Sequence, residues 1–157
     1  MKKVAATSIL SALLLVQSCG GTFATSLRAI LASSSPLIES LNLGENKQKV
    51  VIGFTELADS AAKLTEAIKA CGQANPCKLD AVTAFKADFD RINARGIFGT
   101  HPKLQKVGEI LDGIILSARI YYGARPPQTT SAGPVPPRNT KAELDEKLRE
   151  LKAAMKP

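Results

Sequence analysis

Residues 50–68, VVIGFTELADSAAKLTEAI, decide the fold. Apolar side chains recur along this stretch at intervals of three or four residues, at Val50, Phe54, Leu57, Ala61, Leu64 and Ile68. This spacing places them on one face of an α-helix, because a helix completes a turn about every 3.6 residues. A long helix with one apolar face needs other helices to cover that face, so the pattern predicts a bundle.

Two later segments show the same periodicity, along residues 79–92 and again along residues 104–121. Aromatic residues make up only 4% of the chain, and it lacks the long alternating runs of β-branched and aromatic residues that are typical of strands. We therefore predict an all-α, up-and-down antiparallel bundle of three main helices, preceded by short N-terminal helices. The predicted core consists of Val50, Phe54, Leu57, Leu64, Ile68, Leu79, Val82, Phe85, Phe89, Ile92, Leu104, Leu111, Ile114 and Ile115.

The C-terminal part of the chain has a different composition. Residues 124–139 contain five prolines among sixteen residues and no apolar periodicity, so they are predicted to form a Pro-rich linker. Residues 140–157 return to helical spacing and are predicted to form a short, charged amphipathic helix detached from the bundle. The spacing is equally compatible with a helix that docks on a partner and with one that folds back onto the bundle. Its apolar positions are Leu144, Leu148, Leu151 and Met155.

The N-terminus has the pattern of a secretory signal, with two lysines followed by a short apolar run. The sequence Val16-Gln17-Ser18-Cys19 resembles the lipobox of bacterial lipoproteins. That resemblance implies cleavage before Cys19 and a lipid on its side chain. Since residue 20 is glycine rather than aspartate, it also implies the outer membrane or the periplasm. The predicted segments are a signal peptide over 1–18, a tether over 19–25 and the bundle over 26–123. Cleavage after Ala24 is the alternative, and it would give a soluble periplasmic or secreted protein.

Cysteine usage fits an exported protein. Cys71 and Cys77 are separated by five residues and are predicted to close a disulfide in an oxidising compartment, which would fix the turn between two helices. Cys19 remains unpaired, and lipidation would account for it. Two cysteines and one distant histidine are too few ligands for a zinc site.

Composition and motifs argue against two classes of function. The net charge is +7, but residues 24–123 hold twelve basic and ten acidic residues and contribute only +2, with no basic run. We therefore expect no nucleic-acid partner. The chain has one histidine and no hydrolase, metalloprotease or phosphate-loop motif, so we expect neither an enzyme nor a cofactor. Glu109 and Asp112 share a helix face and could hold a cation, although such pairs usually lie on a solvated surface.

Residues 94–101, ARGIFGTH, form the candidate contact loop, with Arg95, Phe98 and His101 as its candidate contact residues. Its apolar pair, Ile97 and Phe98, is favoured as a plug for the end of the bundle, with a contact surface as the alternative. Thr100 is predicted to cap the helix that follows.

Together these patterns predict a non-enzymatic, lipid-anchored envelope protein that binds an unknown protein or envelope component. One alternative is a small-molecule or lipid carrier with a cavity between helices, opened by small residues such as Ala61, Gly108 and Gly113. A second alternative is a soluble secreted enzyme that uses the region from Arg91 to His101.

Overall fold

The central helix predicted from residues 50–68 is the longest helix of the computed structural model, which describes residues 23–123 and 141–157. The described residues contain helices and turns and no strand, so the predicted all-α bundle is confirmed. The helices are α1 (Phe23–Ala32), α2 (Ser35–Ser40), α3 (Lys47–Ala70), α4 (Asn75–Asn93), α5 (Pro102–Gly123) and α6 (Lys141–Ala154). Single 3-10 turns lie at Gly44–Asn46 and Phe98–Thr100.

Side-chain contacts show that α3 and α4 run antiparallel. Ser60 donates a hydrogen bond of 2.6 Å to Asp88, and Arg95, just beyond α4, donates one of 2.7 Å to Glu56. Positions earlier in α3 thus meet positions later in or beyond α4. At the other end of this helix pair, Cys71 and Cys77 form the predicted disulfide, with their Cα atoms 5.6 Å apart.

The same reasoning orders the remaining helices. Lys86 of α4 lies 3.5 Å from Asp112 of α5, and Leu79, near the start of α4, lies beside Gly123 at the end of α5. Because the positions on α5 rise as those on α4 fall, the two helices are antiparallel. Helix α6 runs antiparallel to α5, since Lys103 near the start of α5 donates a hydrogen bond to the backbone oxygen of residue 156. Helix α1 packs on both α3 and α6 and closes the helices into a ring.

The predicted detachment of the C-terminal helix is wrong. The three leucines of α6 and Met155, which directly follows the helix, are buried with exposed fractions between 0% and 6%, and they belong to the single hydrophobic core of the described residues. Amphipathic spacing shows that a helix has one face to bury but does not name the surface that covers it. Here that surface is provided by α5 and α1 of the same chain. The four residues are Leu144, Leu148, Leu151 and Met155.

The bundle also begins earlier than predicted. Helix α1 starts at Phe23, so residues 23–25, assigned to the tether over 19–25, are helical. Phe23 and Ala24 are 7% and 0% exposed, and the Phe23 ring lies 6.0 Å from the ring of Tyr122. Phe23 lies four positions before Leu27 and extends the apolar face of α1 by one turn, which the predicted tether boundary at residue 25 left out. The signal peptide over 1–18, Cys19 and the linker over 124–139 lie outside the described residues.

All but one of the predicted core residues are buried. Leu79 is half-buried and lies outside the core cluster, because it lies in the first turns of α4 opposite Gly123, the last residue of α5. Phe23, the disulfide and Tyr122 lie at one end of the ring, which we call the disulfide end. The turn at residues 97–100 lies at the other, which we call the loop end.

Candidate functional site

The loop end is closed by two side chains of the predicted contact loop. Ile97 and Phe98 are 0% and 4% exposed. A methyl group added at Gly53 of α3 would collide with Ile97, and one added at Gly108 of α5 would lie 2.8 Å from Cγ of Phe98. The two glycines therefore form sockets for the two loop residues. This placement agrees with the plug that the sequence favoured, and it sets Phe98 in the core rather than on a contact surface.

Phe98 also contacts aromatic rings on two helices. Its ring lies 5.8 Å from that of Phe54 on α3 in an edge-to-face arrangement, and 5.7 Å from that of Phe89 on α4. Edge-to-face packing is favourable because the positive edge of one ring meets the negative face of the other. Together with the packing of Phe98 against Gly108, these ring contacts hold the loop against α3, α4 and α5.

Arg95, the second predicted contact residue, belongs to a surface ion-pair network between α3 and the end of α4. Its Nη1 donates to Oε1 of Glu56 at 2.7 Å, and Arg91 lies 3.5 Å from Oε2 of the same carboxylate. The hydrogen bond from Arg95 lowers the pKa of Glu56 below its usual value, and Arg91 adds to the effect. Arg95 is thus committed to an intramolecular partner, although its side chain is still 42% exposed.

His101, the third predicted contact residue, caps α5. Its backbone is extended, with φ of −157° and ψ of 139°, and its Nδ1 accepts a hydrogen bond of 3.1 Å from the backbone N–H of Lys103. A side-chain acceptor at this position satisfies a donor that the first turn of a helix leaves without a backbone partner. Thr100, which was predicted to be the cap, instead donates to the backbone oxygen of Ile97 at 2.7 Å.

The three predicted contact residues therefore do not converge on one open site. Next to them, however, a polar cleft of about 440 Å³ lies between α4 and α5. Phe89 and Phe98 contribute to its lining, together with the amides of Asn93 and Gln105. The remaining polar side chains that line it are Lys86, Asp90, Glu109 and Asp112.

Lys86 shows what kind of group this cleft accepts. Its Nζ lies 2.6 Å from Asp90 and 3.5 Å from Asp112, and it lies 5.9 Å from the centre of the Phe89 ring. The hydrogen bond to Asp90 raises the pKa of Lys86 above its usual value, so this ammonium stays charged. Three carboxylates and the Lys86 ammonium line the cleft, and Nζ of Lys106 lies 4.0 Å from Oε2 of Glu109, so these five groups together carry a formal charge of −1. The surroundings thus suit a further cationic group.

The sequence showed only half of this site. The Glu109–Asp112 pair was visible because both residues lie on α5, three positions apart. Asp90 and Lys86 join them only through the antiparallel register of α4 and α5, which no local pattern reveals. Among the described residues, no group of three or more histidine, cysteine, aspartate or glutamate side chains has the arrangement to hold a metal ion.

A second groove of about 510 Å³ lies between α1 and α6. Ile30 and Leu148 contribute apolar surface to it, and Asp145, Arg149 and Lys152 contribute charged groups. It exists only because α6 packs beside α1, so the prediction of a detached helix left no way to foresee it. One acidic and two basic side chains line this groove, so its formal charge is +1. It therefore does not favour a cationic group, as the first cleft does.

Exposed large apolar side chains are concentrated on the last turns of α5. Leu116 is 55% exposed, and Ile120 and Tyr121 are each 39% exposed. The other two in the described residues, Val51 and Ile52, lie together near the start of α3. None of the described helices combines the length and the apolar character that a membrane span requires.

Neither the protein-family models nor the curated proteins nor the solved structures contain a match to this chain. Its function is therefore inferred from its own residues and their geometry.

Proposed function

We propose that the protein is a non-enzymatic, exported binding protein that is anchored by a lipid on Cys19 at the outer membrane or in the periplasm. The observation that carries the anchor is the burial of Phe23 and Ala24 in α1, at 7% and 0% exposure. Cleavage after Ala24 would remove both side chains from the core. Cleavage before Cys19 would keep α1 whole and leave only residues 19–22 between the lipid and the folded bundle.

The binding role is supported by the cleft between α4 and α5. Asp90, Glu109 and Asp112 surround a cavity of about 440 Å³ whose lining includes two phenyl rings. Carboxylates attract a lysine or arginine side chain, and an aromatic ring stabilises a cationic group that lies over its face. We therefore propose that the partner is a protein or envelope component that presents a cationic group to this cleft.

Two further observations favour surface binding over the alternatives. A carrier of the kind predicted would need a cavity inside the core beside its small residues, but the space at Gly108 is filled by Phe98, and Ala61 is fully buried in the core. An enzyme of the region from Arg91 to His101 would need free functional groups. There, Arg91 and Arg95 pair with Glu56, and Nδ1 of His101 is engaged in the helix cap.

The anchor is tested by growing a bacterial host that expresses the full chain with a palmitate analogue that carries an alkyne. We expect the wild-type chain to incorporate the label and Cys19→Ser to lose it, since the acyl groups of lipoproteins are attached at the lipobox cysteine. Cys71→Ser serves as the matched control and should keep the label. A wild-type chain without label, or a labelled Cys19→Ser chain, would contradict the proposal.

Binding at the cleft is tested by NMR titration of the full chain with a short oligolysine peptide as the probe. We expect backbone shifts to change around Asp90, Glu109 and Asp112, and to be lost in a Glu109→Gln, Asp112→Asn double variant. The control is Glu39→Gln, Glu45→Gln, which removes the same charge from exposed positions elsewhere. Shift changes spread evenly over all acidic residues, or unchanged in the double variant, would refute a specific cleft.

A further inference from the structure

We propose that the partner of the acidic cleft is an amphipathic helix of another protein, which places a lysine or arginine in the cleft and apolar side chains on Leu116 and Ile120 of α5. The proposal rests on the proposed function, since it names the class of partner that this same cleft binds. It extends the binding surface from the cleft to the exposed apolar side chains beside it.

One exposed face of α5 carries both halves of this surface. Five exposed side chains follow one another at intervals of three or four residues, so they lie along one line on the helix. They are Gln105, Glu109, Asp112, Leu116 and Ile120. The first three line the cleft, and the last two are 55% and 39% exposed. The acidic half of the face therefore passes directly into an apolar half.

The apolar half continues onto α4. Gly123 follows Leu116 by seven positions and shares its face. A methyl group added at Gly123 would lie 3.6 Å from Cδ2 of Leu79, a half-buried residue of α4. The only charged residue of α5 after Asp112 is the basic Arg119. This half of the helix thus has no acidic group to attract a second cation, so the charges fix which end of a partner lies over the cleft.

The spacing along the face matches the side chains of a helix. Leu116 and Ile120 follow Asp112 by four and eight positions, which places them about 6 Å and about 12 Å farther along the axis of α5. A helix that lies along α5 presents side chains at i, i+4 and i+8 with the same rise. A lysine or arginine at the first of these positions would reach the carboxylates, and apolar residues at the next two would cover Leu116 and Ile120.

Each half of the surface supplies what the other lacks. Lys86 already lies 2.6 Å from Asp90 and 3.5 Å from Asp112, so the charge left in the cleft attracts a partner only weakly. An ion pair between exposed groups also adds little affinity, because water screens it. Burial of apolar surface adds affinity but has no direction. A partner that covers Leu116 and Ile120 would gain from burial, and its cation in the cleft would set its position.

The test uses two alanine-rich peptides of about 18 residues, a length at which such sequences form helices in water. The first carries two lysines one turn apart and two leucines on the next two turns of the same face. The second has the same composition, with the leucines on the opposite face. Each peptide is made in both chain directions. The full chain is expressed in a bacterial host, its mature protein is purified in a mild detergent, and calorimetry measures the dissociation constants.

We expect the same-face peptide, in one of its two directions, to bind at least about tenfold more tightly than the opposite-face peptide, because its leucines leave water on binding. The double variant Leu116→Gln, Ile120→Gln should lose this tenfold difference. The matched control is Val51→Gln, Ile52→Gln, which changes the exposed apolar pair near the start of α3 and should keep the difference.

The outcomes separate this proposal from the cleft itself. Equal affinities of the two peptides, while oligolysine still shifts the cleft resonances, would overturn the apolar half and leave the cleft standing. No binding of any peptide, with no shift from oligolysine, would overturn both. A dimer in sedimentation that Leu116→Gln, Ile120→Gln dissociates would assign the face to a second copy of this chain and would also overturn the proposal.

Discussion

At the residue scale, two glycines and two loop side chains explain why the loop end of the bundle is closed. Gly53 and Gly108 lie on α3 and α5, and they leave room for Ile97 and Phe98. One alternative drawn from the sequence was that small residues such as Gly108 open a cavity between helices. The structure shows that they instead admit side chains from the loop, which a helical pattern alone does not distinguish.

Gly108→Ala should lower the free energy of unfolding by about 1–3 kcal/mol, since the added methyl group must displace the Phe98 ring. The matched control is Gly113→Ala on the same helix, where the new methyl group would meet only the flexible end of Lys147 at 3.5 Å. That control should be neutral or should gain up to about 1 kcal/mol from helix propensity. Urea unfolding followed by circular dichroism measures both. Equal stabilities of the two variants would show that Gly108 is not a socket.

The role of His101 as a cap gives a second prediction. His101→Asn should leave the stability of the protein nearly unchanged, because asparagine is a good capping residue, whereas His101→Leu should cost about 1 kcal/mol. Oligolysine binding at the cleft should persist in both variants. If His101→Asn abolished binding while the fold stayed intact, His101 would have a functional role that the cap does not explain.

The lowered pKa of Glu56 predicts how stability depends on pH. A carboxyl whose pKa is lower in the folded state stabilises the protein fully above its ordinary value of 4.5 and loses that contribution as the pH falls through its folded pKa. Glu56→Gln should therefore be less stable than wild type above pH 4.5, and the difference should shrink below it. Glu39→Gln, at an exposed position on α2, is the control. A difference for Glu56→Gln that did not change with pH would contradict the ion-pair account.

At the element scale, periodicity was enough to locate the long helices and most of their buried faces. The predicted tether over 19–25 cut the pattern short at Phe23, although Phe23 lies four positions before Leu27 and shares its face. Periodicity failed where a face had to be matched with its partner, as for α6. The leucines of α6 and Met155 satisfied the pattern of a docking helix equally well, and only the surfaces of α5 and α1 that they cover decide between the two arrangements.

Leu151 tests whether α6 is integral to the bundle. It is fully buried, so Leu151→Ala should lower the free energy of unfolding by about 2–5 kcal/mol and shift the single cooperative transition of the whole protein. Glu150→Ala, at an exposed neighbouring position, should change stability by less than about 0.5 kcal/mol. Thermal unfolding followed by circular dichroism compares them. A Leu151→Ala transition that matched wild type would mean that α6 does not contribute to the folded core.

At the scale of the whole molecule, the two ends of the helix ring have different character. The disulfide end holds the start of α1, the exposed apolar side chains of the last turns of α5 and the Cys71–Cys77 bridge. The acidic cleft extends toward the loop end. Sequence reasoning predicted the signal peptide and the Cys71–Cys77 disulfide because those signals are local, and the structure confirms the disulfide. The cleft escaped it because Asp90 and Asp112 meet only after α4 and α5 have packed antiparallel.

The lipid anchor is the central claim, and the intact mass of the mature protein tests it most directly. The full chain is expressed in a bacterial host, and its mass is measured with and without reductant. We expect a chain that begins at Cys19, carries acyl mass, and gains the mass of two hydrogens on reduction as the Cys71–Cys77 disulfide opens. A chain that begins at Thr25 without lipid would contradict the account, and it would also lack Phe23 and Ala24 from its core.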